Sequence, residues 1–328
     1  MAPFPTLIDV LLKAAVVAPS LHNTQPWRFQ VRAEGTAIRL SANPARMLPF
    51  GDPDGRATHI ACGAALLNLR VAAVAAAGLR PDVRLLPDPG RPLLLADIHL
   101  SERAYPTPRE EELHAAIPRR HTNRGPFRDR AVPPGIKAEL AEAAATEGAV
   151  LHFLDRGESA RVLHLIIDAE FDLIADPAYR DELARWVGGK RPHDGIPDSA
   201  LGPVSPEGDT PVRDFTPTRH PYPARYAWFE EHPQLAVLSV RAGGKRDWLA
   251  AGQALERVWL TATCRGISVC PLTQPLETAD SWLVADPRSP AEQPQMILRI
   301  GYGLPMSGGT PRRPLADVVD SPGQGPLP

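Results

Sequence analysis

Residues 117–127, IPRRHTNRGPF, place Arg120, Thr122 and Arg124 on alternate positions, two guanidinium groups around one hydroxyl. Planar guanidiniums bind a phosphate dianion bidentately, and backbone N–H groups at a helix entrance add to such a site. The rival reading is ordinary surface charge, the fate of most arginines. Far earlier, Ser20, Asn23, Thr24 and Gln25 crowd hydroxyl and amide groups into residues 18–29, APSLHNTQPWRF. These donors and acceptors suit a flat ligand with polar edges, unless the segment is a helix–turn–strand corner that satisfies itself. Cys270 has core-like neighbours and no identifiable base, so no thiol chemistry is expected of it. No G-x-G-x-x-G follows a strand, which argues against a Rossmann dinucleotide site.

The elements that must position these groups are legible in outline. Leu7, Ile8, Leu11, Leu12, Ala15 and Val16 recur at helical spacing, predicting a helix over 5–17 that Thr6 can cap and Pro19 ends. Trp27, Phe29 and Val31 alternate as in a strand, and 37–40, 83–86 and 93–100 read as further strands. Residues 57–78 form a helix apolar nearly all round and closed by Gly78, hence buried at the centre of a domain or interface. Residues 101–112 read as a polar connector. A helix over 134–146, strands at 149–154, 234–240 and 295–300, and a second buried helix over 248–266 follow. Trp27, Trp248 and Trp259 read as core, and Asn68 and Glu256 as interior polar groups with interior partners.

The chain repeats itself. Gly266 matches Gly78 and Leu255 matches Leu67 when the late helices are aligned. The early helices need an offset of roughly 129 residues and the late ones roughly 188, so the second copy carries about sixty extra. The surplus falls around 168–228. Its latter part, 188–223, is rich in proline and glycine and reads as a loop or lid. Arg185, Arg191, Arg213, Arg219 and Arg225 scatter through it, equally readable as solvated charges.

Composition bounds the function. Of 328 residues, 43% are hydrophobic and 23% charged, with a net charge of −2, so no field would recruit nucleic acid or a membrane. Three cysteines without C-x-x-C spacing point to reduced thiols and against a zinc site or disulfide frame. No leader-like or membrane-spanning stretch is apparent, so a cytoplasmic protein without a metal is expected.

The two polar segments resemble motifs of the nitroreductase family of FMN proteins. Residues 18–29 match its APS-x-x-N-x-Q-P-W-x-F signature, and 120–124 match its R-x-[S/T]-x-R opening. The resemblance implies an α+β fold and FMN held between two interlocked subunits, one giving the loop and the other the opening. Here the first copy keeps only the loop and the second only the opening. The implied architecture is a single-chain pseudo-dimer: a first half, 1–112, and a second, 113–328, with central buried helices flanked by mixed or antiparallel sheets. It would hold one FMN and act as a monomer, further association being open. This arrangement resembles the Acg-like nitroreductase-related proteins of actinobacteria.

By the same resemblance, Pro19, Ser20, Leu21, Asn23 and Gln25 would meet the flavin ring, with Ser20 and Asn23 on its pyrimidine edge. Arg120, Thr122 and Arg124 would hold the phosphate, with His121 at the ribityl chain or ring edge, or else merely packed or capping. Arg312 and Arg313 would close on the phosphate from the C-terminal segment. Pro271, Leu272 and Thr273 would lie where a backbone amide faces N5. The implied activity is hydride transfer from NAD(P)H to N5 and onward electron transfer to a quinone or nitroaromatic. The alternative is a non-catalytic protein that sequesters or senses FMN beneath the lid.

Overall fold

The computed structural model describes residues 7–32, 37–206, 212–215, 225–286, 289, 291–304 and 309–320. Helix α1 (Leu7–Ala15) leads through the signature loop into β1 (Trp27–Val31) and β2 (Ala37–Ala42). The long helix α2 (Arg56–Ala75), strands β3 (Leu79–Leu85) and β4 (Leu94–Arg103) and helix α3 (Pro108–Ala116) complete this part. The chain continues through β5 (Phe127–Arg128), α4 (Pro134–Thr146), β6 (Val150–Phe153), α5 (Arg156–Ala175) and α6 (Pro177–Trp186). It closes with β7 (Gln234–Val240), α7 (Lys245–Cys264), β8 (Ser268–Leu272), β9 (Gln293–Gly303), α8 (Leu315–Val318) and β10 (Val319–Asp320).

The strands form two sheets. The first runs β10-β1-β2-β4-β3, antiparallel except where β10 lies parallel to β1 with Phe29 opposite Val319. The C-terminal segment thus returns to the sheet built by the first third of the chain. In the second sheet β9 pairs antiparallel with β7, β8 and β5, and β6 borders β7.

Between the sheets, α2 and α7 pack directly on each other. A Cβ placed on Gly63 would meet the Leu249 carbonyl oxygen at 2.3 Å, and one on Gly252 would meet that of Ile60 at 2.0 Å. Only hydrogen fits at either position. Helix α2 is apolar enough to cross a membrane by composition, but nearly all of it is buried in the protein core. Gly78 and Gly266 both adopt the left-handed conformation just past the two central helices (φ +61° and +67°).

The expected connector over 101–112 instead holds the end of β4 and the start of α3. A reciprocal cap between Thr107 and Glu110, with Pro108 in the first turn, nucleates that helix. Ahead of the expected lid lie α5, capped by Asp155 and Glu158, and α6, capped by Asp176. Helix α5 buries Val162, Ile166, Ala169 and Leu173 along one face. Of the lid itself, 188–206 and 212–215 are described; Arg219, the rest of 207–223, and the Thr6 cap lie outside the described residues.

Candidate active site

The signature loop is held in an uncommon backbone shape. His22, Asn23 and Gln25 all have positive φ (49°, 57° and 52°), a region that asparagine tolerates and bulkier residues enter at a cost of about 1–3 kcal/mol each. Tertiary contacts impose it. Ser20 Oγ accepts the Gln25 backbone N–H at 2.9 Å. The fully buried Gln25 donates to the His193 carbonyl at 2.8 Å and accepts the Arg313 backbone N–H at 2.9 Å. Asn23 accepts from Arg312 Nη1 at 3.0 Å and donates to the carbonyls of Gly195 (2.9 Å) and Pro311 (3.0 Å).

The arginine-bearing segment reaches the same place from the other part of the chain. Thr122 bridges to Val269 of β8, and Asn123 locks the turn by donating to Leu304 O (2.8 Å) and Ser268 Oγ (3.2 Å). Arg120 is buried: its Nη2 donates to Val17 O at 2.9 Å, its Nε lies 3.2 Å from Glu256 Oε1, and its guanidinium stacks 4.5 Å from the Trp259 ring centre. Arg312 Nη2 donates to Val17 O and Ala18 O (2.8 and 3.1 Å). Arg124 donates to Ala200 O at 3.0 Å and lies over the Phe215 ring.

These groups line one cleft with two lobes that share Pro19, Ser20, Thr122, Arg124 and Ile196. The apolar lobe presents Ile60, Ala61, Leu255, Trp259 and Met296 from the central helices and β9. His22, Arg213 and Phe215 also line it, as do Leu21, Pro271 and Thr273. The polar lobe is lined by Asn23, Arg120, His121, Thr310 and Arg312.

Eleven of the fourteen expected residues therefore converge: Pro19, Ser20, Leu21, Asn23, Arg120, His121, Thr122, Arg124, Pro271, Thr273 and Arg312. Gln25, Leu272 and Arg313 lie outside the cleft lining. Gln25 is spent on the two backbone bonds above. Leu272 is 1% exposed within a core beneath the second sheet. Arg313 turns to Asp194 (3.3 Å) and Asp317 (3.1 Å). Asn23, expected on a ring edge, has its amide committed to Arg312, Gly195 and Pro311.

Sequence reasoning missed several groups that line the apolar lobe. Arg213, left open as a solvated charge, is buried and paired with Glu277 at 2.6 Å; it also bonds Tyr179 and Thr273. Burial opposes its charge, but Glu277, Tyr179 and Glu170 outweigh burial and hold the guanidinium protonated. Nothing in a proline-rich stretch signals such a residue. Trp259 and Leu255 do carry a signal, the apolar face of α7, yet a helix face shared by core and cleft is indistinguishable from core alone.

Burial, with Arg213 and then Arg124 nearby, holds the His22 imidazole well below its ordinary value of 6.5. The unfolded chain therefore binds this proton more readily, so the associated stability is intact above about pH 6.5 and is lost as pH falls. Between about pH 7 and 5, urea unfolding should show a larger loss of stability for the wild type than for His22→Gln. Equal losses would contradict the assignment.

No protein-family model matches the chain. It is 33% identical over 326 residues to the Mycobacterium tuberculosis H37Rv protein named "Putative NAD(P)H nitroreductase Rv3131", covering 98% of this chain and 93% of that one. To the same organism's acg protein, similarly named, it is 33% identical over 324 residues, covering 95% of each. With its two sheets around paired helices, the chain belongs to the nitroreductase family, among these Acg-like members. Among solved structures it is similar to the FMN-dependent nitroreductase NfnB from Mycobacterium smegmatis in complex with NADPH. That match has 15% identity and a TM-score of 0.37, covering 65% of this chain and 98% of that one.

Proposed function

We propose that the cleft binds one FMN per chain, the ring in the apolar lobe and the phosphate in the polar lobe. The protein would act as an NAD(P)H oxidoreductase that passes electrons to a quinone or nitroaromatic acceptor. The observation that carries this reading is the convergence of the signature loop and the arginine opening, distant in sequence, on one continuous cleft. The electrostatics fit a dianion. Burial and the neighbouring Arg120 pull Arg312 down to about 9, and only Glu256 acts in the other direction. A buried cluster short of negative charge is stabilised by an anionic ligand. The flavin supplies the redox chemistry when bound. The protein's part is to bind, orient and exclude water, so no acid–base side chain is nominated.

The internal repeat supports a pseudo-dimer of halves 1–112 and 113–328. The alignment that matches Gly78 with Gly266 places Asn68 opposite Glu256. The copy whose arginine opening is missing thus has a neutral amide where the other copy holds the carboxylate that pairs with Arg120. The relatives' NAD(P)H nitroreductase names favour turnover.

A second reading, FMN sequestration, is favoured by one contact. Asn23 and Gly195 bond each other's backbone (Asn23 Nδ2 to Gly195 O at 2.9 Å, Gly195 N to Asn23 O at 3.3 Å), clasping the insertion to the signature loop. Asp194, between Arg46 at 2.6 Å and Arg313, reinforces the clasp. Purified protein should be yellow with one FMN per chain. Anaerobic mixing with NADH or NADPH then decides: rapid bleaching supports the oxidoreductase, and a spectrum unchanged for hours in dithionite-reducible protein supports sequestration. Gly195 has φ +69°, and a Cβ there would meet Trp186 O at 2.6 Å. Gly195→Ala should therefore loosen the clasp and quicken reduction; an unchanged rate would argue against the insertion as a barrier.

A further inference from the structure

Next to the residues that the insertion contributes to the cleft lies a carboxyl group that the flavin reading leaves unused. Both oxygens of Glu170, on α5, are buried without a hydrogen-bond partner among the described residues. The side chain that meets it is Gln274, whose own Oε1 is likewise buried without a donor. Gln274 opens the short helical turn Gln274–Glu277, against which α5 packs. Acceptors crowded together without a donor are costly, above all for an ionised carboxylate. One proton on Glu170 removes the conflict: its O–H donates to the amide oxygen while its second oxygen accepts the amide N–H.

The surrounding charges favour the same state. Among the described side chains, Arg213 and Asp214 of the insertion and Glu277 act on Glu170, and the Tyr179 phenol of α6 lies near it. Strand β7, also against α5, offers no titratable side chain. The one cation, Arg213, is already paired with Glu277 at 2.6 Å and bonded to Tyr179 and Thr273. Burial above all raises the Glu170 pKa; Glu277 and Asp214 add to the rise, while Arg213 and Gln274 oppose it. We propose that Glu170 is a pH-sensitive latch on the cleft: neutral, it holds α5 and the insertion against the cleft wall; ionised, it competes with Glu277 for Arg213 and loosens that wall. Arg213, Thr273 and Glu277 all line the apolar lobe, so the cleft opens as pH rises, whatever ligand it takes. Tyr179 and Phe215 also belong to a small core with Leu173, Val187 and Ile196, so release at Arg213 is felt along 188–206.

The test compares the full-length chain with Glu170→Gln, whose amide reproduces the hydrogen bonds of the neutral acid at every pH. At about pH 6, infrared difference spectra should show a neutral-carboxyl C=O stretch in the wild type that Glu170→Gln lacks, converting to carboxylate as pH rises. Hydrogen exchange over 188–206 should accelerate in the wild type relative to Glu170→Gln, by up to about tenfold per pH unit above the folded-state pKa. Urea unfolding should follow the same sign. A raised folded-state pKa gives stability that is complete below the ordinary value of 4.5 and lost as pH rises through the folded one, so the wild type should weaken more than the variant. Absence of the carboxyl difference would overturn the inference, as would an exchange ratio that does not change with pH. Failure of Glu170→Gln to fold would also count against it, because the amide mimics the neutral acid. None of these readouts requires bound flavin, so a colourless protein would remove the flavin reading and leave the latch to be decided by its own measurements.

Discussion

Arg124→Ala combined with Arg312→Ala is expected to leave the protein nearly colourless. These guanidiniums both line the polar lobe, whose described lining carries no carboxylate. Hydrogen bonds to charged partners contribute about 1.5–3 kcal/mol each, so losing both should weaken FMN by roughly 3–6 kcal/mol. That corresponds to a factor of about 10² to 10⁴ in Kd. Riboflavin has no phosphate and should lose much less. Arg312 also ties Asn23 to the Val17 and Ala18 carbonyls, so Arg312→Lys separates the two roles. It keeps the charge but loses the planar fork, and should fall between wild type and the double variant. FMN content undiminished in the alanine pair would remove the phosphate from this lobe.

The second large effect concerns stability. Gly252→Val should be among the most damaging single substitutions in the chain, because its Cβ would sit 2.0 Å from the Ile60 carbonyl oxygen. The obstacle is backbone on a rigid helix, so the central pair must separate rather than a side chain give way. A cost of ~3 kcal/mol or more is expected in urea unfolding. Flavin affinity should fall too, since Ile60 and Leu255 line the cleft from the same two helices. Gly135 in α4 is the control, because a Cβ there would have no neighbour within 4 Å. Gly135→Ala should be neutral or stabilising by up to about 1 kcal/mol, as alanine favours helix. Equal stability of Gly252→Val and wild type would refute the close crossing.

The two motifs and the two central helices were legible in the sequence because each depends on local chemistry. A run such as Ala18-Pro19-Ser20 or Arg120-His121-Thr122 carries its spacing whatever surrounds it, and an all-round apolar helix must be buried wherever it lies. Helix α3 went unread because its evidence is a cap, Thr107 with Glu110, within a stretch almost devoid of apolar periodicity. The partners of Gln25, Asn23 and Arg313 could not be read for a different reason. Amides and guanidiniums of identical type serve a ligand or a distant carbonyl equally well, and only the folded chain chooses. For Gln25 the choice is His193 and Arg313, far along the chain.

By itself, then, the sequence determined that the chain folds as an α+β nitroreductase relative with a helix-centred core and two ligand-type polar motifs. Periodicity and short motifs are properties of neighbouring residues. The tertiary structure alone decided that the motifs share one cleft, that Glu256 stands behind Arg120, and that Arg213 of the insertion is buried against Glu277. Each of these depends on long-range approach, where burial and Coulomb energy are set by residues that sequence proximity does not reveal.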